Sequence, residues 1–248
     1  MYEDILDLHT HTIASGHAYN SLYEMAQAAS QKGLALYGCS DHAPAMPGSA
    51  DSIYFINFKV IPREIRGVRV LMGAELNILN FDGKVDLSPG LLRRLDYAIA
   101  SLHTNCIKSG TMEENTRAYV KVMENPLIQI IGHPDDGRFP IDYERLVTEA
   151  KRQHKLLEVN NTSLSPDSSR PGARENYRTM LSLCRRHEQP VIINSDAHIE
   201  ADVGNHRFAH QFLEELDFPP QLVVNSSLER LAAYLPSLAG LLAGRWAR

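Results

Sequence analysis

Short apolar runs in this sequence are repeatedly followed by a histidine or an acidic residue. The runs cover residues 5–8, 34–37, 68–72, 97–100, 128–131 and 191–193, and this length is typical of buried strands. The side chains at or beyond their ends are His9, His11, His17, His42, Glu75, His103, His133, Asp196 and His198. Because the carboxyl ends of parallel strands meet at one place, we expect these side chains to become neighbours.

The apolar runs alternate with segments of helical period, which indicates repeated βα units and a parallel sheet. We predict strands at residues 4–9, 35–40, 68–76, 96–102, 127–132, 156–160 and 190–195. Residues 222–225 form a weaker eighth candidate with no ligand-type residue after it, so seven units are favoured. A chain of 248 residues is near the size of one complete α/β barrel. We therefore predict an α/β fold, a single (βα)7 barrel domain over residues 1–248 with its metal site at the carboxyl ends of the strands.

Composition and charge exclude several classes of partner. The net charge is -5, the pI is about 6.1, and no run of Lys and Arg stands out, so long nucleic acids are not expected partners. Three widely spaced cysteines fit a reducing compartment, and the acidic N-terminus leaves no room for a signal peptide before the first strand. The last apolar stretch, residues 235–243, is much shorter than the roughly 20 residues of a membrane span. We expect a cytoplasmic protein without a membrane partner.

The histidines and acids have the chemistry of a metal site with more than one ion. Residues two apart on a strand share a face, so Asp7, His9 and His11 project together, with Asp7 placed to orient a ligating imidazole. An isolated His-x-His pair is as often structural, but nine donors at strand ends exceed the needs of one ion. Imidazole and carboxylate donors without cysteine suit Zn²⁺, Mn²⁺ or Fe²⁺. The sequence therefore predicts two or three divalent ions.

The chain resembles the PHP family, named for polymerase-associated and histidinol phosphatase domains, and most closely its YcdX-type trinuclear-zinc phosphatase branch. The resemblance covers essentially the whole chain. It rests on the segments Asp7 to Thr12, Ser40 to His42, Gly132 to Pro134 and Ser195 to His198, with Gly73 to Glu75 and Leu102 to His103 as additional ligand positions. The resemblance implies a distorted, TIM-like (βα)7 barrel, in agreement with the strand count.

The resemblance also implies how three divalent ions, most simply Zn²⁺, are shared among the nine donors. The first ion takes His9, His11, Glu75 and Asp196; the second takes Glu75, His103 and His133; and the third takes His17, His42 and His198. Glu75 then acts as the bridging carboxylate between the first two ions.

Charge points to a small phosphorylated substrate. Three divalent ions carry +6, against roughly -3 from Glu75, Asp196 and a hydroxide, so a dianionic phosphate monoester compensates well. We predict a metal-dependent phosphatase in which a metal-bound hydroxide is the nucleophile and Glu75 and Asp196 are catalytic residues. Asp196, Asp41 and Asp135 are candidates to protonate the leaving group. Arg170 is the candidate phosphate clamp, although Arg174 and Arg138 are equally plausible from sequence.

Three other functions remain open at this stage. A PHP-type phosphodiesterase or exonuclease could act on nucleotides or short nucleic acids, but the chain has no basic or aromatic strip for a strand to follow. An amidohydrolase-like enzyme also begins with His-x-His, but there a lysine on strand four is the common bridge, whereas His103 occupies that strand here. A non-catalytic metal-binding module is the least favoured, because structural zinc sites are closed and usually rich in cysteine.

His206 and His210 lie four residues apart on a predicted helix and could form a separate metal pair. No carboxylate pattern accompanies them in the sequence. We therefore predict that they lie on a surface face of the helix.

Overall fold

Strands and helices alternate along residues 2–242, the part of the chain that the computed structural model describes. The strands are β1 (Leu6–Asp7), β2 (Leu36–Cys39), β3 (Glu64–Ile65), β4 (Val68–Met72), β5 (Ala74–Asn77), β6 (Ala98–Ser101), β7 (Ile130–Ile131), β8 (Leu156–Asn160) and β9 (Val191–Asn194). The helices are α1 (Leu22–Gln31), α2 (Ser52–Ile56), α3 (Pro89–Leu92), α4 (Met112–Met123), α5 (Tyr143–Arg152), α6 (Ala173–His187), α7 (Arg207–Glu215), α8 (Leu228–Ala232) and α9 (Pro236–Leu242). This alternation confirms the predicted α/β class.

The strands pair in two sheets. One has the order β1-β2-β4-β3, with β3 antiparallel to β4, and the other is the all-parallel series β5-β6-β7-β8-β9. The predicted strand 68–76 is divided at Gly73, so that β4 belongs to the first sheet and β5 to the second. A Cβ atom at position 73 would lie 2.6 Å from the Tyr97 ring. Glycine therefore allows the chain to pass this ring where it changes sheets.

The edges of the two sheets approach each other beyond the strand ends. Thr10 forms an isolated parallel bridge with Ala197, and His42 forms one with Glu75. Regular pairing within residues 2–242 gives two sheets and does not give one closed sheet. The parallel α/β fold is thus confirmed, but the predicted closed barrel is not, because only single bridges join the sheets where the ligand-bearing segments leave the strands.

The weaker eighth candidate is not a strand. Residues 220–222 and 224–226 form 3-10 helices, and only Val223 pairs, in an isolated bridge with Val191. The apolar segment 235–243 contains α9, with Ala243 outside the described residues. Within residues 2–242, no helix combines the length and apolarity that a membrane span requires.

Helix starts are set by local capping. Ser21 with Glu24 and Thr111 with Glu114 form reciprocal capping boxes at α1 and α4, in which the hydroxyl accepts from the third backbone N–H and the carboxylate accepts from the first. Ser88 caps α3 ahead of a proline. These caps satisfy free backbone N–H groups and mark where the helices begin.

One apolar cluster contains side chains from strands of both sheets, and we call it the inner core. It takes a buried side chain from β1, β2, β4, β6, β7, β8 and β9 and is covered by residues of α8 and α9; examples are Leu6, Leu36, Leu71, Ile99, Ile130, Leu156, Ile192, Leu231 and Leu238. A second, larger cluster packs the outer faces of the strands against the helices. The strands are therefore buried on both faces, as parallel strands require.

Candidate metal centre

The first group of predicted ligands converges on two carboxylates. His9 Nε2 lies 3.3 Å from Glu75 Oε2 and 3.5 Å from Asp196 Oδ1. His11 Nε2 lies 3.6 Å and 3.2 Å from the same two oxygens. Two donors of one tetrahedral zinc ion lie about 3.4 Å apart, given metal–ligand bonds near 2.1 Å. The spacing of all four donors therefore suits one ion.

The other oxygen of Glu75 faces a second pair of imidazoles. Glu75 Oε1 lies 3.1 Å from His103 Nε2 and 2.9 Å from His133 Nε2, and these two nitrogens are 3.3 Å apart. Ser101 Oγ also donates to this oxygen at 2.7 Å. A single carboxylate thus faces both groups of histidines, as a bridging ligand must.

A third group contains His42 and His198, with His11 between them. The ring centroid of His11 lies 4.3 Å from both the His42 and the His198 centroids. His17 is more exposed, but its ring lies 5.0 Å from His42 and 4.8 Å from His198. All nine predicted ligands, which we call the ligand cluster, therefore lie together, although His11 is closer to His42 and His198 than His17 is.

Hydrogen bonds at the Nδ1 atoms fix the orientation of several ligand imidazoles. Glu158 Oε1 lies 2.7 Å from His9 Nδ1, and Asn77 Oδ1 lies 2.7 Å from His103 Nδ1. The Nδ1 atom of His11 lies 3.0 Å from Ser15 Oγ, which donates to Asp41. Acceptors at Nδ1 leave Nε2 unprotonated and directed at the centre, which is the tautomer that binds a metal.

Glu158 is a functional residue that the sequence reasoning missed. It is fully buried, and it also accepts hydrogen bonds from the His133 backbone N–H at 2.8 Å and from Asn194 Nδ2 at 2.8 Å. The available signal was a glutamate inside the apolar strand β8, since a charged residue there needs a partner. The orienting role assigned to Asp7 was wrong, because Asp7 holds the Ser195 and Gly204 backbone N–H groups and contacts no imidazole of the ligand cluster.

Replacing Glu158 with glutamine is expected to weaken metal binding by about 10- to 100-fold, the usual effect of losing an outer carboxylate partner. The amide keeps the shape of the side chain, but only one of its two end atoms accepts hydrogen bonds, so either His9 and Asn194 or the His133 backbone N–H loses its acceptor. Competition with a chromogenic chelator measures the change. Glu113→Gln, at an exposed Arg145 pair, is the matched control, and equal chelator sensitivity in both variants would contradict the role of Glu158.

The pKa values of both carboxylates and of His11 are lowered in the ligand cluster, whereas at His9 the effect of burial is outweighed by Glu158 and Glu75, which raise its pKa. Burial opposes ionisation of Glu75, but the imidazoles of His9 and His103 hold its pKa well below the ordinary value. Burial likewise opposes ionisation of Asp196, yet His9 and a hydrogen bond from His11 lower its pKa strongly. Burial, together with His198 and His42, lowers the pKa of His11. Near neutral pH the carboxylates are therefore charged and His11 is neutral, as metal ligation requires.

Two ligand positions have backbone conformations that are uncommon for residues other than glycine. The φ angle is 27° at His133 and 59° at Asp196. Such conformations cost roughly 1–3 kcal/mol and cluster at functional sites. Both occur where a strand ends, and they turn the side chain into the ligand cluster.

The ligand cluster opens into a cavity of about 440 Å³. Its wall includes Arg170, Arg138, Ser169, Thr104 and Asn105. A larger cavity of about 910 Å³ lies elsewhere, lined by residues 55–56 and 58–63 together with Met72, Arg94 and Asp96, and shares no lining residue with the first. Size alone would favour the larger cavity, but its lining has no group of metal donors, so we place the functional site at the smaller one.

Arg170 lines the cavity and pairs with Asp196. Its Nη2 donates to Asp196 Oδ2 at 3.0 Å, and its Nη1 donates to Ser163 Oγ at 2.9 Å. Arg138 also lines the cavity and pairs with Asp136. Arg174 instead pairs with Glu215 on α7 and does not line the cavity, which leaves Arg170 and Arg138 as the candidates.

Of the three candidate acids, only Asp196 lines the cavity. Asp41 is fully buried and accepts hydrogen bonds from the Thr12 backbone N–H and from the Ser15 and Tyr54 hydroxyls. Asp135 is also fully buried. Asp41 and Asp135 thus do not line the cavity, and their role as proton donors stays a prediction.

His206 and His210 are not on a free surface face, and this prediction was wrong. His206 is 3% exposed, and its Nδ1 lies 2.7 Å from the carboxylate of Asp4. His210 Nε2 lies 2.6 Å from the same oxygen. The carboxylate partner was invisible in the sequence because it lies about 200 residues away, on the segment before β1.

A family profile described as PHP domain matches residues 7–217. A probable phosphatase of Clostridium novyi (strain NT) is 42% identical over 233 residues, which cover 94% of this chain and 95% of the relative. A probable phosphatase of Caldicellulosiruptor bescii is 44% identical over 230 residues, with 93% and 95% coverage.

Two solved structures share the fold. Histidinol phosphate phosphatase from Lactococcus lactis, complexed with zinc, L-histidinol and phosphate, has a TM-score of 0.58 at 16% identity, covering 87% of this chain and 95% of that chain. A chain of archaeal ribonuclease P with mature tRNA has a TM-score of 0.59 at 16% identity, with 98% and 95% coverage. At this level of identity, the two likenesses describe the fold alone.

Proposed function

This chain belongs to the PHP domain family, and from that premise we propose that it is a metal-dependent phosphatase that hydrolyses phosphate monoesters. One observation carries the proposal. Nine imidazole and carboxylate side chains gather at an open cavity that also contains two arginines. Metal donors next to guanidinium groups suit a phosphoryl group, which needs cations and planar donors around its oxygens. The relatives named probable phosphatase support the same reaction class.

The ligand cluster fits divalent ions. His9 Nε2, His11 Nε2, His42 Nδ1 and Glu75 Oε2 are buried atoms for which residues 2–242 supply no hydrogen-bond partner. Leaving such atoms unsatisfied is costly, whereas ligation by cations satisfies them all. We propose three ions, divided among the donors as the family resemblance implies. Zn²⁺ is the first choice, with Mn²⁺ or Fe²⁺ as alternatives, because these ions accept the same donors.

The roles of the side chains follow from their places. Bound ions would supply a hydroxide near neutral pH and offset the charge of the phosphoryl oxygens. Glu75 and Asp196 hold the ions, and Arg170 binds a phosphoryl oxygen beside Asp196. Asp196 is ionised near neutral pH, so we do not assign it the proton that the leaving alkoxide needs. The polar wall formed by Ser169, Thr104 and Asn105 suits a small, hydrophilic leaving group.

We also propose that the two sheets act as one distorted, seven-stranded barrel around the inner core. The bridges Thr10 to Ala197 and His42 to Glu75 lie next to ligands, and seven strands contribute to the inner core. Under this proposal the ligand cluster occupies the carboxyl end of the barrel. The partner is a small phosphorylated molecule in the cytoplasm, and neither a long nucleic acid nor a membrane is involved.

The phosphatase proposal is tested by following p-nitrophenyl phosphate hydrolysis and metal content on the same sample. Two to three ions per chain are expected at the ligand cluster, with activity lost on chelation and restored by Zn²⁺ or Mn²⁺, because the side chains alone supply no nucleophile. Bis-p-nitrophenyl phosphate and an amide substrate serve as comparisons. Faster hydrolysis of the diester would favour the phosphodiesterase, and metal without any hydrolysis would favour a binding module.

A further inference from the structure

A second group of metal-type side chains lies outside the ligand cluster. It consists of Asp4, His206 and His210, which we call the outer cluster. Asp4 precedes β1, whereas His206 and His210 lie at the start of α7 and one turn into it. A spacing of four residues places the two imidazoles on the same side of the helix. Because Asp4 comes before β1 and the ligands come after it, the outer cluster is separate from the ligand cluster.

We propose that the outer cluster binds a further divalent ion of the zinc type. Asp4 Oδ1, His206 Nε2 and His210 Nε2 are buried, and no hydrogen-bond partner is found for any of them within residues 2–242. Among the atoms that face Asp4 Oδ2, His210 Nε2 shares this property with His9 Nε2, His11 Nε2, His42 Nδ1 and Glu75 Oε2 of the ligand cluster. His210 Nε2 approaches Asp4 Oδ2 to 2.6 Å without the alignment of a hydrogen bond. Two metal-donor atoms that lie close together without a hydrogen bond between them are expected where both bind the same cation.

The coordination would use one atom from each side chain. His206 Nδ1 lies 2.7 Å from Asp4 Oδ2, so Nδ1 and His210 Nε2 face the same carboxylate. The other nitrogen of His206 faces Asp7 Oδ1 at 3.7 Å, the place of an outer carboxylate behind a ligating imidazole. Two imidazoles and one carboxylate suit Zn²⁺, Ni²⁺ or Cu²⁺ far better than Mg²⁺ or Ca²⁺, which prefer oxygen donors.

Such an ion would fasten the first residues of the chain to α7. Asp7 accepts hydrogen bonds from Ser195 and Gly204, so the outer cluster adjoins the segment that leads to Asp196. The Tyr2 ring packs against His210, with centroids 5.6 Å apart. The competing interpretation is a set of ion pairs, because hydrogen bonds offset burial and bring the pKa of Asp4 to about 2 and that of His206 to about 9. The two interpretations differ in metal content.

Metal content per chain decides between them. Asp4→Asn and His210→Ala should each contain one ion fewer than the wild type, and the double variant should also lack one ion, because both changes affect the same site. Activity on p-nitrophenyl phosphate should stay within about twofold, since no residue of the ligand cluster is changed. His187→Ala, at an exposed pair with Glu144, is the matched control. Wild-type metal content in both single variants would overturn the proposal.

A second measurement covers the case in which the variants do not fold. Crystals of the wild-type protein grown with Zn²⁺ should show an anomalous peak at the zinc edge between Asp4, His206 and His210. Peaks at the ligand cluster without one at the outer cluster would leave only the ion-pair interpretation. Neither measurement depends on phosphatase activity, so the outer cluster can fail while the proposed function stands.

Discussion

Replacing Glu75 with alanine is expected to remove more than one metal ion per chain and to lower turnover by at least about a thousandfold. One oxygen of this carboxylate faces His9, His11 and His42, and the other faces His103 and His133. Losing a bridging ligand therefore weakens two ions at once. Ions of this kind contribute several kcal/mol to the transition state, and each 1.36 kcal/mol is about tenfold in rate. Elemental analysis and hydrolysis of p-nitrophenyl phosphate measure both effects.

Two further variants are needed to interpret the result for Glu75→Ala. Glu75→Gln keeps the shape of the side chain, so a loss of metal in that variant cannot be attributed to a cavity in a fully buried site. His187→Ala removes an exposed histidine on α6 and should retain all ions and full turnover. If Glu75→Ala lost no more metal than His187→Ala, the bridging role of Glu75 would be wrong.

The ligand cluster was predictable because its position depends on local sequence and one rule of topology. An apolar run followed by His42 or Asp196 predicts a strand with a ligand just beyond its carboxyl end. Parallel strands then bring these carboxyl ends together. Strand bounds were less accurate, since β1 and β7 each contain only two regularly paired residues where the apolar runs predicted six. Apolar patterning reports burial, whereas pairing depends on the neighbouring strand.

Residues that act through tertiary contacts were not predictable in the same way. Glu158 was visible only as an odd charge in an apolar strand, and its partner His9 lies 149 residues away. The outer cluster needs Asp4 and α7 to meet, which no spacing along the chain reveals. The break at Gly73 depends on the Tyr97 ring, a side chain from the neighbouring strand region. In each case the two segments in contact meet only in the folded chain, and the sequence does not show how they are placed relative to each other.

Replacing Arg170 with methionine is expected to lower kcat/KM by about 100- to 1000-fold, the usual cost of losing one donor to developing charge. The side chain is 15% exposed, and its Nη2 reaches Asp196 while Nη1 reaches Ser163 and Asn160. Methionine fills similar space but supplies neither charge nor donors. Arg170→Lys restores the charge without the planar fork and should recover only part of the loss. Steady-state kinetics and inhibition by inorganic phosphate measure the effect.

Phosphate inhibition separates a clamp from a residue that only holds Asp196 in place. A clamp contacts the phosphoryl group, so Arg170→Met should weaken inhibition by phosphate while the metal content stays at the wild-type value. A residue that only positions Asp196 would instead lose metal when replaced, with phosphate inhibition falling only in proportion to the ions lost. Arg174→Met, which breaks an exposed pair with Glu215 far from the cavity, should change neither quantity. Wild-type phosphate inhibition in Arg170→Met would remove Arg170 from the substrate site and leave Arg138, the other arginine on the cavity wall, as the next candidate.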